Sequence, residues 1–382
     1  MINAIRQQFK EKYQKDPIVI ATPGRVNLIG EHTDYNNGFV LPGAIDKKIY
    51  IAVARNDGYE INVHANQFNE SFSFSPHNID KNSSWKNYIL GVTYYFQKQT
   101  KPLTFGLDVM IDGDIPVGGG MSSSAALCSG FGMALNHLFD GGLSLMDLAF
   151  IGQKTEHNFA GVKCGIMDQF ASLHGKAGHL VKLDCRNLEF EYIPFNFPQY
   201  KIVLVNTMVS HSLAGSEYNV RRQQCEEGVK VLQQYYPAAV SLRDITIDQL
   251  HQHKDELDPV VYRRCKFVVE EIARVEKAAT LLREGDLVQF GKLMYATHDG
   301  LSKDYEVSCP ELDFLAAEAR PLEYVAGSRM MGGGFGGCTI NVVESSHVEA
   351  FTQHMQQRYQ QQYGKVPEVY ITQIEEGCHI AG

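Results

Sequence analysis

Short apolar runs separated by turn-like stretches dominate the first half of the chain. The runs at 18–21, 49–54 (IYIAVA), 60–63 and 106–111 predict strands of a sheet-rich region. Apolar positions at helical spacing predict two interrupting helices, one over 85–97 and one from Ser122 through Ala125, Ala126 and Leu127 toward Leu138. The opening segment, MINAIRQQFKEKYQK, is polar and helical in pattern and lacks the apolar core and cleavage site of a signal peptide. After a predicted strand at 201–206 (KIVLVN), the texture becomes helical, notably over 217–235 and 259–282. This change near Tyr200 predicts two domains, 1–200 and 201–382, packed closely with a site between them.

A length of 382 residues allows each domain its own core without disulfide or metal staples. With 35 basic and 44 acidic residues the net charge is −9, so the chain has no general attraction for nucleic acid or anionic membranes. Its apolar runs are interrupted long before the ~20 residues a membrane span requires. The eight cysteines are scattered, with no CxxC pair and no histidine at zinc-finger spacing. Reduced thiols and a cytoplasmic location are expected.

Three clusters carry candidate chemistry. In the first, Pro116-Val117-Gly118-Gly119-Gly120-Met121-Ser122-Ser123-Ser124 follows a predicted strand and leads into a helix. Glycines let backbone approach a ligand, and the first amides of a helix are unpaired donors at the positive end of its dipole. The stretch suits a phosphate site, or a flexible turn whose serines cap the helix. It is not a P-loop, because no Lys or Arg occurs between Lys101 and Lys154. Charge neutralisation there must come from the helix terminus, a metal and basic residues elsewhere.

The second cluster, Gly332-Gly333-Gly334-Phe335-Gly336-Gly337, contains a formal G-x-G-x-x-G, but the segment after it, 338–343, reads as a strand. A dinucleotide fingerprint needs a helix there, so a nicotinamide enzyme is rejected. The loop suits close passage of backbone beside a ligand or beside the first glycine loop, or a tight turn. In the third, Arg25 precedes the polar group Glu31, His32, Thr33 and Asp34. So dense a set of donors and acceptors suits a polyhydroxylated ligand, although an isolated EHTD would read as a solvated turn. Two further carboxylates stand out, Glu156 in a helical stretch and Asp168 in CGIMDQ; taken singly, each reads as a surface charge.

Taken together, GRVNLIGEHTDYNNGFVLP from Gly24, PVGGGMSSSAA from Pro116 and MMGGGFGGC from Met330 resemble, in order and separation, the motifs of the GHMP small-molecule kinases, and within them the galactokinases. The resemblance implies an α+β fold: an N-terminal domain like the second domain of ribosomal protein S5, a ferredoxin-like C-terminal domain, and an active site in the cleft. It implies ATP-dependent phosphorylation of the anomeric hydroxyl of D-galactose to α-D-galactose 1-phosphate, the first committed step of galactose catabolism. By position, Asp168 is the implied base and Arg25 its neighbour, which would keep the carboxylate ionised at neutral pH. Glu31, His32, Thr33, Asp34, Gly165 and Tyr218 would bind sugar. Gly118, Gly119, Gly120, Met121, Ser122, Ser123 and Ser124 would cradle the ATP phosphates, with Ser124 and Glu156 on Mg²⁺. The implied partners are galactose and ATP, with no nucleic acid or membrane, and a monomer is expected. Two alternatives stay open: a related kinase acting on N-acetylgalactosamine or arabinose, and a catalytically silent galactose sensor.

Overall fold

The strand-forming runs of the first half meet in one six-stranded sheet. The computed structural model describes residues 1–81, 84–116, 118–209 and 214–381 of the protein; Val117 of the first glycine cluster lies outside them. In spatial order the strands are His379–Ala381, Ile18–Asn27, Pro42–Arg55, Leu107–Gly113, Ile61–Ala65 and Glu70–Phe74. Neighbours are antiparallel except Ile61–Ala65 beside Leu107–Gly113. Successive side chains of a strand face opposite ways, and here both faces are covered. Ile20, Ile51 and Val53 enter the main core, while Val19, Ala21 and Ala52 pack under Ile5 and Phe9 of the N-terminal helix Ile2–Tyr13.

The helices Lys86–Gln99 and Ser123–Leu138 match the sequence expectation. Leu145–Thr155 and Met167–His174 join them, so the first half is more helical than its strand-rich pattern suggested. The first carries a local start signal, a capping box in which Ser144 and Asp147 satisfy each other's backbone amides. The second has only 8 residues, too few for a periodicity to stand out.

A second, fully antiparallel sheet runs Val325–Met330, Cys338–Glu344, Tyr200–Asn206, Glu368–Thr372. Two features cross the expected boundary. The last strand, His379–Ala381, pairs with Ile18–Asn27 in the first sheet, so a simple 201–382 domain does not hold at its end. The long helix Pro259–Glu284, with Asp258 capping its amides and Gly285 in the left-handed region after it, packs on a small sheet of Phe39–Val40, His179–Asp184 and Phe190–Pro194. No helix among the described residues is long and apolar enough to cross a membrane.

Candidate active site

Where the strand Ile18–Asn27 loses register between Pro23 and Arg25, it meets the first glycine loop. Arg25 N–H donates to the Met121 carbonyl at 3.1 Å, and a Cβ on Gly24 would lie 2.6 Å from that oxygen, so only glycine fits. This turns Arg25 toward Asp168. Its Nε and Nη2 donate to Oδ1 and Oδ2 at 2.7 Å each, and its Nη1 donates to the Gly120 carbonyl at 2.7 Å. The two-pronged geometry uses the planar fork that only arginine offers. Burial works against the arginine charge, but Asp168, with Glu31 and Asp34 beyond it, outweighs that and raises the pKa. Asp168 lies in the first turn of Met167–His174, where the helix dipole favours a carboxylate, and Ser122 Oγ donates to its Oδ2.

With Ser122 committed to Asp168, the helix Ser123–Leu138 begins with no side-chain cap. Its first amides are left for a ligand. Gly118 and Gly120 hold φ of 77° and 72°, the left-handed region that favours glycine. The second glycine loop passes close by: a Cβ on Gly332 would stand 3.5 Å from the Gly120 carbonyl. The strand Cys338–Glu344 follows it where a dinucleotide fingerprint needs a helix, in line with the rejection of that reading.

Ser124 Oγ donates to Glu156 Oε1 at 3.1 Å, and Gln169 Nε2 donates to the same oxygen at 3.1 Å. Glu156 opens a π-helical turn, Glu156–Ala160, that ends the preceding helix at the site. Burial first, and then the charge of Asp168, pushes its carboxyl up to about 7. Asp34 is pushed up to about 7 for the same two reasons.

On the sugar-loop side, Glu31 Oε1 accepts from Arg329 Nη2 at 3.0 Å and from the Gly332 amide at 2.8 Å. His32 Nε2 faces the Gly333 carbonyl at 3.2 Å, so that nitrogen carries the proton, and Nδ1 accepts from the Tyr35 hydroxyl at 2.7 Å. Burial lowers the ring to about 3, leaving it neutral. Both nitrogens are engaged within the protein, so His32 contributes a wall, its ring 5.1 Å from that of Tyr218, where a hydrogen-bonding role was expected. Thr33 is corrected more firmly. Its hydroxyl is fully buried and satisfied inside the loop by the Gly30 and Phe39 carbonyls, off the cavity. Gly165 acts through its missing side chain, because a Cβ there would fall 2.0 Å from Asp34 Oδ2. Gly119 is buried and does not line the cavity.

Arg25, Glu31, His32, Asp34, Gly118, Gly120, Met121, Ser122, Ser123, Ser124, Glu156, Asp168 and Tyr218 converge on one cavity of about 330 Å³. Among the described residues it holds four carboxylates and one cation, Arg25. Beside Ser123 and Ser124 opens a second, apolar cavity of about 260 Å³ lined by Phe68, Trp85, Tyr88 and Leu127. The helix predicted over 85–97 contains Trp85, the one tryptophan of the chain, but nothing in its sequence neighbourhood marks it as part of a site, because the glycine loop it meets starts 31 positions later at Pro116. The donors beside the glycine loop, one carboxylate and one hydroxyl, suit a hard cation that keeps its remaining positions for phosphate and water.

A glycine loop feeding an uncapped helix, with an arginine and a carboxylate clamped across it between two α/β domains, defines a small-molecule kinase. The galactokinase galactose-binding signature matches residues 7–55, the GHMP kinase N-terminal domain 87–176 and the GHMP kinase C-terminal domain 278–361. A galactokinase of Roseiflexus sp. is 39% identical over 375 residues, 98% of this chain and 95% of that one. The Homo sapiens galactokinase is 38% identical over 98% of this chain and 95% of its own length. The crystal structure of Lactococcus lactis galactokinase complexed with galactose superposes with a TM-score of 0.95 over the whole of both chains at 32% identity. A mevalonate kinase at 20% identity, TM-score 0.66 and 94% coverage of this chain against 99% of its own, shares the fold alone. The chain belongs to the galactokinase family of GHMP kinases.

Proposed function

We propose that this protein transfers the γ-phosphoryl group of ATP to the anomeric hydroxyl of D-galactose, giving α-D-galactose 1-phosphate and ADP. The observation that carries this reading is the two-pronged Arg25–Asp168 pair, set between the glycine loop and the sugar loop in one cavity. Asp168 accepts the hydroxyl proton, the freed oxygen attacks the γ-phosphorus, and the bond to ADP breaks. Arg25 orients the carboxylate and offers positive charge where the transferring group gathers negative charge.

The amides at 118–124 hold the phosphates, and the apolar cavity beside Trp85 and Tyr88 takes the nucleobase. Ser124 and Glu156 would hold Mg²⁺, which when bound neutralises phosphate charge. Glu31, Asp34 and Tyr218 face the sugar. The relatives named galactokinase and the galactose-bound Lactococcus lactis structure support galactose as that sugar. All eight cysteines are unpaired, which supports a cytoplasmic setting.

The test is ADP release with Mg·ATP and each of galactose, glucose, N-acetylgalactosamine and arabinose, with the phosphate position read by ³¹P NMR. Galactose-dependent release with an anomeric phosphate is expected. Release with another sugar alone would move the specificity, and binding of ATP and galactose without release would make the protein a sensor.

A further inference from the structure

Three consecutive residues of the sugar loop are each tied to the C-terminal half. The Gly30 amide donates to Glu271 Oε1 at 2.8 Å, Glu31 takes Arg329 and the Gly332 amide, and His32 takes the Gly333 carbonyl. Arg329 makes the densest of these ties. It is fully buried and lines neither cavity. Its Nε donates to the Leu28 carbonyl at 2.9 Å, its Nη1 to the Met330 carbonyl, and its Nη2 to the Asn27 carbonyl and to Glu31. One side chain thus joins the end of the sugar-loop strand, the loop carboxylate and the start of the second glycine loop.

We infer that Arg329 is a positioning residue for sugar recognition, acting through Glu31; this rests on the sugar-loop reading above. Both protein hydrogen bonds to Glu31 fall on Oε1, so among the described residues Oε2 has no protein donor, and Glu31 lines the cavity. Arg329 fixes one oxygen and leaves the other for a sugar hydroxyl. It also supplies the counter-charge without which Glu31 would be an unpaired buried carboxylate. A lysine keeps the charge but gathers its donors on one nitrogen and cannot span acceptors in several directions. The nucleotide groups, Ser122, Ser123, Ser124, Glu156 and Trp85, have no hydrogen bond to Arg329, so the effect falls on one substrate.

The experiment is a double-mutant cycle of Arg329→Lys and Glu31→Gln, read by KM and kcat for each substrate and by calorimetric galactose binding. Arg329→Lys is expected to raise the galactose KM and Kd about tenfold or more, the size of a lost buried charge-assisted hydrogen bond, with the ATP KM within about twofold. In the Glu31→Gln background the same change is expected to add less than about twofold, because the carboxylate charge that Arg329 pairs with is already gone. Equal rises in both KM values, or effects that multiply in the double variant, would overturn the positioning role. If Arg329→Lys fails to fold, Glu271→Gln serves as the second variant. It removes the charge from the acceptor of the Gly30 amide while keeping its size, so a smaller rise confined to galactose supports the cross-domain tie and no rise overturns it. Wild-type protein that binds galactose without turnover would sink the proposed reaction, leaving binding to decide Arg329. No galactose binding at all would overturn both.

Discussion

The two sides of the cavity solve opposite problems. On the phosphate side, donors are left unspent: Ser122 is diverted to Asp168, so the helix behind it starts uncapped, and Gly118 and Gly120 keep side chains out of the way. On the sugar side, donors and acceptors are largely consumed within the protein: Thr33 within its loop, both nitrogens of His32, and one oxygen of Glu31. The phosphate groups also come from one half of the chain, whereas the sugar loop is fastened across to Glu271, Arg329 and Gly333. A charged, flexible ligand is met by free amides, and a compact polyol is met by a rigid wall with few free groups.

Arg25 joins the two sides, so its loss should have the largest effect. Arg25→Ala is expected to lower kcat by roughly a thousandfold, since it removes charge stabilisation and leaves Asp168 beside Asp34 and Glu156 without a counter-charge. Steady-state turnover checks this, and a loss under tenfold would detach Arg25 from the chemistry. On the phosphate side alone, Glu156→Gln should raise the Mg²⁺ concentration for half-maximal activity on the order of 10–100-fold with little change in galactose binding. Burial pushes the Glu156 carboxyl up to about 7, so protons compete with the metal below that pH. In the wild type the Mg²⁺ requirement should therefore fall as pH rises from 6 to 8, and this slope should vanish in Glu156→Gln.

Trp85→Ala should raise the ATP KM about tenfold, the scale of one lost base-stacking contact, and leave the galactose KM unchanged. An unchanged ATP KM would empty the apolar cavity of its assigned role. The smallest expected effect concerns stability. Asp34 has its folded pKa raised to about 7, so the folded state holds a proton the unfolded chain has released, and its cost grows as pH rises from about 4 through 7. Asp34→Asn should therefore raise the melting temperature at pH 8 by a few degrees and leave it nearly unchanged at pH 4, while weakening galactose binding. Calorimetric melting at both pH values decides the sign.

How much of this was legible in the sequence follows the same division. The phosphate side is written locally, in a strand, a glycine run and serines before a helix, and Arg25 and Asp168 stand in recognisable motifs. The sugar-loop residues were legible as a group but not in their roles. The partner of His32 lies 301 positions away, and nothing near His32 reports that both its nitrogens are taken. Arg329 and Glu271 were invisible for the same reason: one sits in a strand and the other in a long helix, each a single charge whose partner appears only on folding. Leu145–Thr155 had its capping box in plain view, whereas the return of His379–Ala381 to the first sheet left no local mark.

The central claim is that Asp168 carries the chemistry and does not merely shape the pocket. It is tested most directly by measuring kcat and calorimetric galactose binding for Asp168→Asn, which keeps the size of the side chain and removes its charge. We expect kcat to fall by roughly a thousandfold or more while the galactose Kd stays within about tenfold. Turnover near that of the wild type, or a loss explained wholly by weakened binding, would contradict the account.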